Sequence, residues 1–163
     1  MHAVHGGDVG QLDMTDDYRP EFTLALEVIA RAFHEAVVKG AEMPVIVGGA
    51  AVEYHTVSEV QSADFDLVTA YGSDAILVEE LEKVGFKRSF SGSLRNLHHP
   101  DLLIGLDFVS GRLFEGKTDA TRIEIFKVDE EGQLKVRFPP VEDMIADRLG
   151  QYESVPEIGR ASC

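Results

Sequence analysis

Apolar positions recur at two different spacings along this chain, and the switches between them predict its elements. From Glu21 to Lys39 the apolar residues Phe22, Leu26, Ile29, Ala30, Phe33 and Val37 follow helical spacing. Gly40 stands where a helix C-cap belongs. Pro44-Val45-Ile46-Val47 is a short continuous apolar run, read as a buried strand that Gly48-Gly49 ends. Ala50 to His55 opens a second helix, and Phe65 to Thr69 is a second β-prone run. Between Asp74 and Val84, residues Ile76, Leu77, Leu81 and Val84 share one helix side, and Gly85 stops it. Phe86 to Phe90 reads as a short strand. Leu102 to Val109 is a third apolar run, interrupted by Gly105 and Asp107. Arg122–Val128 and Leu134–Phe138 flank Asp129-Glu130-Glu131-Gly132 as the arms of a hairpin. Pro139-Pro140 breaks the chain, and Val141 to Tyr152 is the last helix. This order predicts an α/β (α+β) domain with a small mixed sheet flanked by helices.

The flanks are less patterned. Residues 1–20 are polar and read as a loose arm ending at Pro20, residues 21–153 as one domain, and 154–163 as a tail. His2 and His5 lack the further ligands a metal site needs. A length of 163 residues suits one domain, and 44% hydrophobic residues can fill its core. No apolar run approaches the roughly 20 residues that span a membrane. The first ten residues lack a basic segment followed by an apolar one, so no secretory signal is expected. The only cysteine is Cys163, which excludes an intramolecular disulfide and a cysteine zinc cluster. The expectation is a cytoplasmic protein.

Charge narrows the partners. The formal net charge is −14, with no Lys/Arg stripe, so binding of bulk nucleic acid is disfavoured. A divalent cation or a basic partner protein would still admit an anion. Acidity also serves solubility, and charge alone does not separate these readings.

Acids inside apolar runs carry the candidate chemistry. In Asp64-Phe65-Asp66-Leu67-Val68 the two carboxylates are two residues apart, so on a strand they share a face, with Cα atoms roughly 7 Å apart. They suit one hard cation between them or two neighbouring cations; two solvated acids at a strand end fit the same spacing. Asp107 lies within Leu102–Val109, where an unpaired charge is costly. Either its strand lies beside the Asp64/Asp66 strand and three acids converge on metal, or Asp107 pairs with Arg112 or Arg122. Oxygen ligands of this kind suit Mg²⁺ or Mn²⁺. Gly48-Gly49 follows a strand and opens a helix, which lets backbone approach a ligand and offers N–H groups to phosphate. An ordinary tight turn has the same composition.

Together, Val45-Ile46-Val47-Gly48-Gly49-Ala50-Ala51-Val52-Glu53-Tyr54-His55 and Ser62-Ala63-Asp64-Phe65-Asp66-Leu67 resemble the signature of the DNA polymerase beta-type nucleotidyltransferase superfamily. Within that superfamily the residues look like the bacterial AbiEii-like and related uncharacterised branches, where Ser62 takes the place of a usual Thr. Leu81-Glu82-Lys83-Val84-Gly85-Phe86 is similar to the family's Leu-x-x-x-Gly-Phe helix end. Pro140 to Leu149 is similar to its Pro-x-Glu-Asp-x-Ile-x-Asp-Lys/Arg-Leu helix. The resemblance spans about residues 42–150.

The resemblance implies a nucleotidyltransferase fold that moves a nucleoside monophosphate from an NTP to an acceptor hydroxyl on a small molecule, a protein or RNA. A toxin–antitoxin component is one setting it implies. Asp64, Asp66 and Asp107 would hold Mg²⁺ or Mn²⁺, with Asp107 also a candidate base. Gly48, Gly49, Ser62 and Arg148 would meet the nucleotide, although Arg148 also suits a surface ion pair. A catalytically silent member that binds nucleotide or a protein partner carries the same residues. Relatives often bear a basic residue just before the Thr-x-Asp-x-Asp, whereas Val57 to Ala63 holds none. AbiEii-like chains commonly continue with further helices, so the end at Cys163 implies either a short member or a fragment.

Overall fold

The computed structural model describes residues 17–89, 95–109 and 122–144. Helix α1 (Pro20–Val38) is followed by β1 (Val45–Val47), α2 (Gly48–His55), β2 (Asp64–Val68) and α3 (Asp74–Lys83). Strands β3 (Lys87–Arg88), β4 (Asn96–His99) and β5 (Ile104–Val109) come next, then the hairpin of β6 (Glu124–Lys127) and β7 (Lys135–Phe138). A helical turn over 141–144 ends the described chain. The loose arm up to 16 and everything beyond 144, including Arg148 and the tail, lie outside the described residues.

Five strands form one mixed sheet in the order β1-β2-β5-β4-β3, and β6-β7 form a second, two-stranded sheet. Only β2 and β5 run parallel in the large sheet; its other neighbours are antiparallel. The result is the expected α/β architecture with a mixed sheet and helices. One strand departs from expectation. Asn96–His99 pairs between β3 and β5, a strand the apolar pattern does not announce. Its alternation is exposed–buried–exposed–buried, with a single aliphatic, Leu97, to mark it.

The two faces of the sheet differ because strand side chains alternate. Ile46, Phe65, Leu67, Leu97, Leu106 and Phe108 are all buried in the core. Their core partners on α1 and α3 include Phe22, Leu26, Ile29, Phe33, Leu77 and Leu81. The Phe22 and Phe65 rings stack with centroids 6.0 Å apart. Lys39 Nζ ties the end of α1 to the buried Glu80 of α3 at 2.5 Å, which with Lys83 holds that carboxyl below its ordinary range. Across the sheet, the residues between these core positions are only partly covered or exposed.

Helix α2 is fastened from two sides. Tyr54 stacks on Phe138 at 4.1 Å and donates to Glu124 at 3.0 Å, which docks α2 on the hairpin. Glu53, on the same helix, is wholly buried. Its Oε2 accepts Arg19 Nε at 2.7 Å and Ser58 Oγ at 2.7 Å. Its Oε1 accepts Arg19 Nη2 at 2.9 Å and the Ser62 N–H at 2.8 Å. Four donors thus satisfy one buried carboxylate, which is what burial of a charge requires. The turn they hold has Val57 at φ 50° and Ser58 at φ 64°, a region that side-chain-bearing residues enter only when their surroundings force it. Arg19, and Tyr18 buried beside Tyr54, are therefore anchored, although the chain's patterning assigns them to the arm.

Glu53→Ala is expected to cost about 3 kcal/mol or more, because it strands Arg19 and two further donors at once. Urea unfolding measures this; a loss below about 1 kcal/mol would show that water replaces the carboxylate without penalty.

Candidate functional site

The register of β2 on β5 pairs Asp64 with Gly105 and Asp66 with Asp107. Partners in register share a face, so Asp64, Asp66 and Asp107 all stand on the sheet side opposite the aliphatic core. Paired strands lie about 4.8 Å apart, which makes Asp66 and Asp107 immediate neighbours. On the far side of β5, Asn96 is the antiparallel partner of Asp107. The Asn96 amide donates to Asp107 Oδ1, so a row of Asn96, Asp107 and Asp66 crosses three strands. Arg122, the described candidate for pairing Asp107, instead meets Asp143 at 3.3 Å and Glu142 at 3.8 Å. Arg112 lies outside the described residues.

Electrostatics at the row are unfavourable without a counter-charge. Burial pushes the Asp66 carboxyl above its ordinary range, and the negative charges of Asp107 and then Asp64 push it the same way. Among the described residues, no group of three or more His, Cys, Asp or Glu side chains is drawn together as a ready metal cage. The acids are adjacent in register rather than closed around a point. As a donor set they are all oxygen, on one accessible face, and mutually repelling, which fits a hard divalent cation.

The glycine turn closes on this row. Gly48 adopts φ +69°, and a Cβ built there would stand 2.3 Å from Asp66 Oδ2. Only a residue without a side chain lets the start of α2 approach the acid so closely. A Cβ on Gly49 would stand 2.6 Å from Ser62 Oγ. Helix α2 has no side-chain cap at its N-terminus, where Val47 takes the cap position. Ser62 Oγ bonds the Asp64 backbone N–H at 3.1 Å and the Asp64 carbonyl at 3.0 Å. Ser62 thus fixes the entry to β2 rather than presenting a free hydroxyl. Gly105 is small for a similar reason, with Asp64 Oδ1 3.2 Å from where its Cβ would be.

Two contributors are not evident from the chain's patterning. Asn96 sits on the unmarked strand β4, and only register reveals its neighbour. Arg19 brings a guanidinium to the loop before β2, donating to the Ser62 carbonyl at 2.9 Å. A basic residue is missing from Val57 to Ala63, but a cation from 43 residues earlier stands beside that loop. Its bond to Glu53 raises its pKa, so the guanidinium is spent on that carboxylate. His99 is structural: Leu102 N–H donates to Nδ1 at 3.2 Å, so Nε2 carries the proton donated to the Val84 carbonyl at 3.0 Å. His98 is exposed on the other side of β4.

No family model matches the chain, and no curated protein or solved structure matches it. Function is therefore read from the site itself.

The raised Asp66 pKa sets a sign. A carboxyl that binds its proton more readily when folded destabilises the fold once ionised. That penalty is absent below the ordinary value of 3.8 and grows as pH rises through the raised value. Asp66→Asn is therefore expected to raise the melting temperature at neutral pH in EDTA, with the gain shrinking as pH falls towards 4. A variant that melts lower than wild type at neutral pH would contradict the repulsion. Gly48→Ala should lower stability by about 1–2 kcal/mol from backbone strain alone, before its overlap with Asp66; unchanged urea unfolding would show that the turn relaxes.

Proposed function

We propose that the protein is a nucleotidyltransferase of the polymerase beta type, moving a nucleoside monophosphate from an NTP to an acceptor hydroxyl with Mg²⁺ or Mn²⁺. The observation that carries this reading is the Asp66–Asp107 register beside Asp64, with the Gly48 turn closing on Asp66. Asp64, Asp66 and Asp107 would hold the cations. When bound, such cations neutralise the triphosphate and make an acceptor hydroxyl easier to deprotonate.

The chain's own groups do the remaining work. Backbone N–H groups at the uncapped start of α2 face incoming phosphate with the favourable end of the helix dipole. Asp107, whose Oδ1 accepts the Asn96 amide, would accept the acceptor's proton. Attack of that hydroxyl on the α-phosphorus forms a new P–O bond as the bond to pyrophosphate breaks. The acceptor is a small molecule, a protein or RNA; the −14 charge argues against bulk nucleic acid. Among the described residues no helix is long and apolar enough to cross a membrane. A protein partner, as in a toxin–antitoxin pair, fits the same acidity.

A silent, nucleotide-binding protein is the second reading, favoured by one observation: Arg19, which stands beside the Asp64 loop, is already engaged by Glu53. Incubation with each α-labelled NTP, Mn²⁺ and cell extract separates the two. Label transferred by wild type and reduced at least about 100-fold in Asp64→Asn/Asp66→Asn supports the enzyme. No label, with a Mn²⁺-dependent nucleotide thermal shift, supports the silent binder. Neither signal would sink both.

A further inference from the structure

Beyond the acid row, β2 and β5 end together, and a cavity of about 570 Å³ opens at their carboxyl ends. That volume falls within the roughly 300–1,000 Å³ usual for small-molecule sites. Its walls include Ala70, Ala75 and Val109, with Tyr71, Asp74 and Arg95 as the groups able to recognise a ligand. Val109 lies two residues beyond Asp107 on the same strand face, so the cavity begins roughly 7 Å from the acids. A ligand seated in it reaches the Asp66–Asp107 pair without crossing the sheet.

The chemistry of the walls is selective. Tyr71 is fully solvent-exposed at the tip of the turn after β2 and lines the cavity mouth with a large ring able to stack. Asp74 is held by Thr69, whose hydroxyl donates to Oδ1 at 2.5 Å. Its Oδ2 is 3.7 Å from Arg95 Nη1, too long for a hydrogen bond, so that oxygen retains acceptor capacity. The Arg95 guanidinium is planar and also stacks on flat rings. Small apolar walls, an aromatic rim and a carboxylate acceptor together suit a flat heterocycle with an amino edge.

We infer that this cavity seats a nucleobase bearing an exocyclic amine, stacked on Tyr71 with its amine donating to Asp74. The inference rests on the nucleotide reading above and adds a preference to it: adenine, cytosine or guanine over uracil. The base binds at the carboxyl ends of β2 and β5, and its phosphates extend back along the open face towards Asp66 and Gly48.

Nucleosides without phosphate, measured in EDTA, read the cavity alone, independently of any cation or transfer. Equilibrium dialysis of labelled adenosine, cytidine, guanosine and uridine provides the test. At least one amine-bearing nucleoside should saturate below about 1 mM, the upper end of ordinary substrate constants. Uridine should bind about tenfold more weakly than that nucleoside. Tyr71→Ala should weaken binding about tenfold, the scale of one lost base–aromatic stack, and Tyr71→Phe should restore it. Ala75→Phe, an exposed position that fills the cavity, should abolish it. Absence of saturable binding, equal affinity for uridine, or indifference to Tyr71→Ala and Ala75→Phe would each overturn the inference. Mn²⁺ titration of the acids would remain unaffected by that outcome, so the two readings fail separately.

Discussion

Asp66 and Asp107 are neighbours because the other side of their strands is aliphatic. Phe65 and Leu67 on β2, and Leu106 and Phe108 on β5, are buried under the helices, which leaves the intervening positions on the opposite face. A slip of one residue would turn either strand over, burying acids and exposing phenylalanine. Each such exchange costs on the order of 2 kcal/mol per apolar side chain, before the far larger cost of burying a charge. Like-charge repulsion at Asp66 is small beside that, so the core dictates the acid row and the row accepts the strain. Only a face held this firmly can keep repelling groups side by side.

The glycine turn is held to this row by a second constraint, a carboxylate on the helix it opens. Glu53 fastens the turn at 57–58 and the Ser62 backbone, and Ser62 in turn bonds both backbone groups of Asp64. Gly49 lies against Ser62, and Gly48 against Asp66. The start of α2 and the start of β2 are thus registered to each other through one buried carboxylate and its Arg19 partner. Glu53 hydrogen-bonds Ser62 rather than any of the three acids, and its effect on those acids is positional.

Much of the architecture was legible in the chain, and the failures have physical causes. Long periodic segments such as α1 and α3 declare themselves because their apolar faces repeat over several turns. The strand bearing Asp64 and Asp66 was legible from its alternation, whereas the cost of an acid inside an apolar run marked Asp107 but left open whether it neighbours those acids or pairs with an arginine, a choice that only strand register makes. Strand β4 was not, since Asn96-Leu97-His98-His99 has one aliphatic and draws its stability from two flanking strands. Arg19 was invisible as a partner of Glu53 because their 34-residue separation carries no periodic signal. Ser62 was legible as a site neighbour, but its bonds to the Asp64 backbone were not, since hydroxyl bonding to the local backbone is a property of conformation rather than of spacing.

On the proposed reading, acidity and the acid row together couple the binding of cation and nucleotide. A free triphosphate meets a chain of net charge −14 and three carboxylates on the very face it must approach. The nearby Arg19 is held by Glu53 and offers little compensation. Cation and nucleotide must therefore bind with strong positive coupling, each raising the affinity of the other by the same factor. An uncharged nucleoside escapes this requirement, because it brings no phosphate to the acids. The open face then divides into two parts with different physics: a charged half, where binding depends on the cation, and an apolar half at the strand ends, where it depends on shape and stacking.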